Sequence, residues 1–200
     1  MPIFMASDLN MPIDPRSFNI LNVSDTCAVW NVLSSTLLFS VATESGCHFC
    51  MTHYVEYECL FKPRSSSSEA ESLLKRRLLE ARSRGQFKAY PLDLEDLAEI
   101  EILERRKNLG KGELSSIAFA KRTHQAFLTD DQAARKLASQ VLGVSQVQTT
   151  PHLVGWLFFL GYFSDSDKDT IVREHSSTGR PLGTFFEEVY VLALRHRLYS

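Results

Sequence analysis

The sequence predicts an α/β fold, a central and mainly parallel sheet with helices on both faces. Short strand-like runs alternate with helical patterns along the chain, which is the signature of βα units. The 200 residues are 44% hydrophobic, enough apolar material to fill a core and to exclude a fully disordered chain. That length favours one domain, and no internal repeat points to a solenoid.

Residues 1–17 hold three prolines and no hydrophobic period, and read as an N-terminal arm ahead of one domain over 18–200. Residues 18–24 alternate loosely and close at Asp25, as a strand would. Val29, Trp30, Leu33, Leu37 and Leu38 recur at helical spacing over 26–40. A short apolar run at 47–51 is the second strand, and Thr52 caps a helix reaching about residue 61. The stretch 63–68 breaks the chain, a helix follows over 69–84, and Gly85 stops it. Residues 87–90 form a strand. Pro91 and Asp93 open an acidic helix over 94–106, with Leu97, Ile100 and Leu103 in phase. A loop at 108–112 leads to a short helix over 113–122. Residues 126–129 form a strand, Asp130 and Asp131 open a helix ending at Gly143, and 144–148 is the fifth strand. Thr149-Thr150-Pro151 starts an apolar helix ending near Phe163. Two helices, 167–174 and 184–195, flank Gly179-Arg180-Pro181 and complete the chain.

The 24 acidic and 22 basic residues leave a net charge of −2, which excludes a strongly basic, histone-like binder. The longest apolar run, 153–163, is about half the ~20 residues of a membrane-spanning helix. No basic residue precedes Arg16, unlike a signal peptide, and four cysteines in this length do not form a disulfide framework. The expectation is a cytoplasmic protein without a membrane partner.

Carboxylates at strand ends carry the chemical signal. In parallel sheets the functional crevice lies beyond the carboxyl ends of the strands. Asp25 follows the first strand, and Asp130 and Asp131 follow the fourth. Helix N-caps are the ordinary role for such aspartates. Glu58 lies in the apolar stripe of Met51, Tyr54, Val55 and Phe61, where a carboxylate is costly unless paired or metal-bound. Glu113 shares a helix side with Leu114, Ile117 and Ala120, although a first-turn acid is favourable in itself. Clustered carboxylates raise one another's pKa unless a cation neutralises them, and hard oxygen donors suit Mg²⁺ or Mn²⁺. Such ions serve phosphodiester cleavage.

Four segments then stand in an informative order: Val23-Ser24-Asp25-Thr26, Val55-Glu56-Tyr57-Glu58, Gly112-Glu113-Leu114-Ser115-Ser116-Ile117-Ala118 and Leu128-Thr129-Asp130-Asp131-Gln132-Ala133-Ala134-Arg135. Together they resemble the motifs of the PIN-domain ribonucleases over roughly residues 18–163, and the tail is similar to longer bacterial members. The resemblance implies a three-layer α/β/α sandwich, Mg²⁺ or Mn²⁺ as cofactor, and RNA as substrate. Many such proteins are toxins of type II toxin–antitoxin pairs, so it also implies a small antitoxin partner. By the same likeness Asp25, Glu58, Glu113 and Asp131 form the catalytic, metal-holding set, with Thr26 and Thr129 in support. Asp130 and Asp131 are not separable: the Thr-x-Asp spacing favours Asp131, helical phase Asp130. The chain departs from the compact toxin pattern in its N-terminal arm and in a helical insertion around 64–106. Two other readings stand beside this one: a catalytically silent PIN-like binding or assembly module, and a generic α/β domain whose acids only cap helices.

Other signals carry less. Cys47-His48-Phe49-Cys50 invites zinc, but on a strand Cys47 and Cys50 point to opposite faces. The histidines are dispersed, and no glycine-rich phosphate loop is present. Basic residues gather over 62–88. Their ordinary role is pairing with the acidic helix that starts at Asp93; their functional one is an RNA-contacting arm including Arg76, Arg77, Arg82 and Arg84. The apolar 153–163 run reads as core, with an exposed part available to a homodimer.

Overall fold

The structure is a computed structural model that describes residues 13–63 and 68–199. Most of the expected arm (1–12) and the serine-rich centre of the expected break (64–67) lie outside the described residues. Five strands, β1 (Leu21–Ser24), β2 (His48–Thr52), β3 (Lys88–Tyr90), β4 (Ala126–Leu128) and β5 (Val147–Gln148), form one sheet in the order β3-β2-β1-β4-β5. Every neighbouring pair is parallel; Val23 aligns with Cys50 on one side and with Phe127 on the other. Both faces of the sheet are covered, and alternate side chains feed two cores.

Phe49, Met51 and Leu128 point into the first core. They meet α1 (Thr26–Ser34), α2 (Thr36–Glu44), α4 (Glu69–Ser83), α8 (Thr150–Leu160), α9 (Asp165–Ser177) and α10 (Gly183–Leu198). Val23, Phe127 and Val147 point the other way, into α5 (Leu94–Arg106), α6 (Lys111–Thr123) and α7 (Gln132–Leu142). The result is the expected three-layer α/β/α sandwich. The apolar helix α8 is core, as its all-round hydrophobicity implies, with Leu153, Val154, Trp156, Leu157 and Phe158 buried. Gly161, in the left-handed region at φ +79°, ends it.

Three expectations need correction. The helix predicted over 26–40 is two helices, α1 and α2, bent by 100° at Ser35. Ser35 leaves the helical region and caps α2 through Leu38 N–H, while Arg77 Nη1 donates to the Leu33 and Ser34 carbonyls at 2.9 and 2.6 Å. Periodicity continues through such a break because side chains replace the missing backbone partners.

The second correction concerns Glu58. The helix after β2 is one α-turn, α3 (His53–Glu56), running into a π-helical turn over Tyr57–Phe61. The wider turn changes the phase: Val55 and Cys59 are buried, whereas Tyr54 and Phe61 are 40% and 64% exposed. The third concerns the basic helix α4, which does not pair with the acidic α5. The edge strand β3 separates them in sequence, and the two helices cover opposite sheet faces. The carboxylates of the α5 region are instead met from α6, by Lys111, Lys121 and Arg122.

Candidate acidic cleft

Chain order places β1 between β2 and β4, so the sheet is built outward in both directions from β1. The carboxyl ends of β1 and β4 therefore flank the topological switch point, where α/β sheets open a crevice. Asp25 follows β1 there. Its Oδ1 accepts from Ala28 N–H at 2.8 Å, capping α1, and its Oδ2 accepts from the Thr129 hydroxyl. Burial above all, with the charges of Asp130 and Glu113, pushes the Asp25 carboxyl up to about 7 despite those two bonds.

Thr26, one residue on, donates its hydroxyl to Glu58 Oε2 at 2.5 Å. Glu58 comes from the π-helical turn across the first turn of α6. A Cβ on Gly112 would meet its carboxylate, so Glu58 keeps this position only beside a residue without a side chain. Glu113 follows. Its Oε2 accepts from Gly110 N–H at 2.5 Å, closing the N-terminus of α6. Burial foremost, and the charges of Asp131 and Glu58, raise its pKa. Asp25, Thr26, Glu58 and Glu113 line one cleft of about 270 Å³, together with Cys27, Trp30 and Arg180. The capping and cleft-lining roles of Asp25 and Glu113 coexist.

The adjacent aspartates separate. Asp130 turns into a buried network, accepting from Asn31 Nδ2 at 2.7 Å, Thr150 N–H at 2.8 Å and the Thr150 hydroxyl at 2.6 Å. Asp131 caps α7 through Ala134 N–H at 2.7 Å, and its own N–H donates to Thr129. Neither side chain is part of the cleft lining, yet Asp130 acts electrostatically on Asp25 and Asp131 on Glu113. Among the described residues no three Asp, Glu, His or Cys side chains stand close enough to form a ready-made metal cage. The donor set itself, carboxylate and hydroxyl oxygens around one opening, has the chemistry of a Mg²⁺ or Mn²⁺ site.

The basic helix is distributed around its own surface. Arg82 pairs with Glu56 at 2.6 Å, Arg77 closes α1, Arg76 lies 4.0 Å from Glu80, and Arg84 is exposed. All four cysteines are free thiols, and Cys47 and Cys50 serve opposite cores, as strand alternation requires. Arg180, which lines the cleft, and Asn31, the buried residue that accepts from it, are residues that sequence reasoning missed. Gly179-Arg180-Pro181 reads locally as a spacer, and only the return of the C-terminal helices brings it beside β1. Among the described residues no single helix is long and apolar enough to cross a membrane. No family model, curated protein or solved structure matches the chain.

Proposed function

We propose that the protein is a Mg²⁺- or Mn²⁺-dependent endoribonuclease of PIN type. The observation that supports this most is the convergence of Asp25, Thr26, Glu58 and Glu113 on one cleft at the switch point of a parallel sheet. Burial first, and neighbouring carboxylate charges after it, raise the pKa values of Asp25 and Glu113 in a small opening, an arrangement a divalent ion would relieve. Asp25, Glu58 and Glu113 would hold the ion, with Asp131 adding its charge through Glu113. Such an ion supplies charge neutralisation and Lewis-acid polarisation at a scissile phosphate. The chain's own share is orientation. Thr129 fixes Asp25, Thr26 fixes Glu58, and Gly110 N–H fixes Glu113, so the three are presented without reorganisation. The toxin role, with a small antitoxin covering the cleft, belongs to the same proposal.

The test is cleavage of single-stranded RNA by the full chain with Mn²⁺ or Mg²⁺, with chelator, and after Asp25→Asn or Glu113→Gln. Cleavage should need the ion, and each substitution should lower it by at least about a hundredfold. Activity that survives both substitutions overturns the assignment. The capping bonds that Asp25 and Glu113 already make favour a second reading, a silent PIN-like binding module. A folded wild type that binds Mn²⁺ and cleaves no RNA would support that reading instead.

A further inference from the structure

Arg180 is the guanidinium of the acidic cleft, and it is not paired with the acids. Its Nε donates to Asn31 Oδ1 at 2.6 Å, and Asn31 Nδ2 donates onward to Asp130 at 2.7 Å. Both ends of a buried amide are thereby committed: its oxygen to the arginine, its nitrogen to the aspartate. The backbone is tied as well, since Arg180 N–H donates to the His175 carbonyl at 3.2 Å. Among the described residues no carboxylate stands within 4.0 Å of the Arg180 nitrogens, although Asp25, Glu58 and Glu113 line the same opening. The chain holds this cation by a neutral acceptor, and among the described residues the two terminal nitrogens of its fork have no protein partner. A structural arginine beside three carboxylates would be expected to close on one of them.

From this geometry we infer that Arg180 binds the phosphodiester itself, its terminal nitrogens donating to non-bridging oxygens of the scissile phosphate, with Asn31 as the residue that positions it. This rests on the nuclease reading above and adds the anion-binding half that the carboxylates lack. A cleft of carboxylates repels a phosphate, and a fixed guanidinium at its wall offsets that repulsion. It also stabilises the charge that gathers on those oxygens as a water oxygen bonds to phosphorus, losing its proton to solvent, and the P–O bond to the leaving group breaks, the departing oxygen taking a proton from solvent. The planar fork matters because two parallel N–H donors match two phosphate oxygens, which an ammonium does not reproduce.

The experiment compares full-chain wild type, Arg180→Gln and Arg180→Lys in three measurements. Glutamine keeps a donor for Asn31 and removes the charge, and circular dichroism melts establish that each variant is folded. The first measurement is binding of a short fluorescein-labelled single-stranded RNA in Ca²⁺, over a range of salt. The second is cleavage in Mn²⁺, and the third is Mn²⁺ affinity by calorimetry without RNA. Arg180→Gln should weaken RNA binding by about tenfold, lower the salt slope by about 1, and slow cleavage by ~10²–10³. Its Mn²⁺ affinity should stay unchanged or tighten, because a neighbouring positive charge is gone. Arg180→Lys should restore the salt slope and not the rate. Wild-type binding and cleavage in Arg180→Gln overturn the inference and leave the nuclease reading standing; so does a parallel collapse of Mn²⁺ affinity, which marks a structural role. A wild type that neither binds nor cleaves RNA overturns both.

Discussion

Two regions of this molecule bury acidic side chains and treat them in opposite ways. In the seam between α5 and α6, Asp96 is buried, yet Arg122 meets it with two nitrogens at 2.9 Å, and it also closes the capping box of α5 with Asp93. Lys121 and Lys111 answer Glu99 and Glu104 along the same seam. In the cleft, Asp25 is buried to the same degree and has hydrogen bonds but, among the described residues, no cation in contact. The seam is electrically closed by the chain itself. The cleft leaves carboxylates facing one another, which costs stability and is hard to explain as architecture alone.

Neutralising one acid in each region should therefore change stability with opposite signs. Asp96→Asn removes a bidentate charge-assisted pair and leaves Arg122 partly buried, so urea unfolding should show a loss of about 2–3 kcal/mol. Asp25→Asn removes a charge whose folded pKa is raised from 3.8 to about 7. A group raised in this way favours folding below its unfolded value and opposes it once pH passes the folded value. The substitution should accordingly stabilise the protein by on the order of 2 kcal/mol near pH 8, and the gain should vanish by about pH 4. Destabilisation by both changes at pH 8 would erase the distinction between the regions.

Acid sharpens the comparison from another side. His175 is fully buried, its Nε2 accepts from Leu182 N–H at 3.0 Å, and its Nδ1 lies 2.5 Å from the Ser34 hydroxyl. The ring is thus neutral, with Nδ1 protonated and donating. Burial first, and then the Arg180 charge, lower its pKa to about 4. Relative to an unfolded value near 6.5, this stability is present above about pH 6.5 and is lost as pH falls through about 4. The loss is on the order of 2–3 kcal/mol. The loop it anchors carries Arg180. Hydrogen exchange at Leu182 should accelerate near pH 5 before the α5 and α6 amides respond, and His175→Gln should abolish that difference. Equal response of both regions would show that the anchor does not act locally.

Much of this architecture could be read from residues alone, for reasons that also explain the failures. The strands, α4 to α8 and the strand-end position of Asp25 rest on local patterns: alternation, helical period and caps. Those patterns do not register a satisfied break such as Ser35, where Arg77 arrives from a helix distant in sequence. Glu58 stands out in the sequence as a carboxylate among apolar residues. Its real surroundings, the Thr26 hydroxyl and the Gly112 backbone, follow from a π-helical turn that a 3.6-residue period cannot describe. The charge pairing of α4 with α5 failed because composition carries no information about sheet faces. Arg180 and Asn31 were invisible for the same reason, since their meeting depends on the path of the C-terminal helices.

The smallest effect tests the closest approach in the cleft. Gly112 lies at the second position of α6, where alanine has the better helical propensity, so Gly112→Ala should help or spare the helix by up to about 1 kcal/mol. Its added Cβ would meet the Glu58 carboxylate, a flexible group that can swing away only by leaving Thr26. The expected outcome is a folded protein whose melting temperature is near that of the wild type and whose Mn²⁺ affinity falls by about tenfold, through displacement of one ligand rather than loss of charge. Calorimetry across wild type, Gly112→Ala and Thr26→Val separates the causes. If Thr26→Val, which frees Glu58 without crowding it, weakens Mn²⁺ binding to the same extent, the hydroxyl positions the carboxylate. If only Gly112→Ala does, the close approach at the first turn of α6 sets its place. Unchanged affinity in both variants would remove Glu58 from the set and leave Asp25 and Glu113 as the cleft's cation-holding pair.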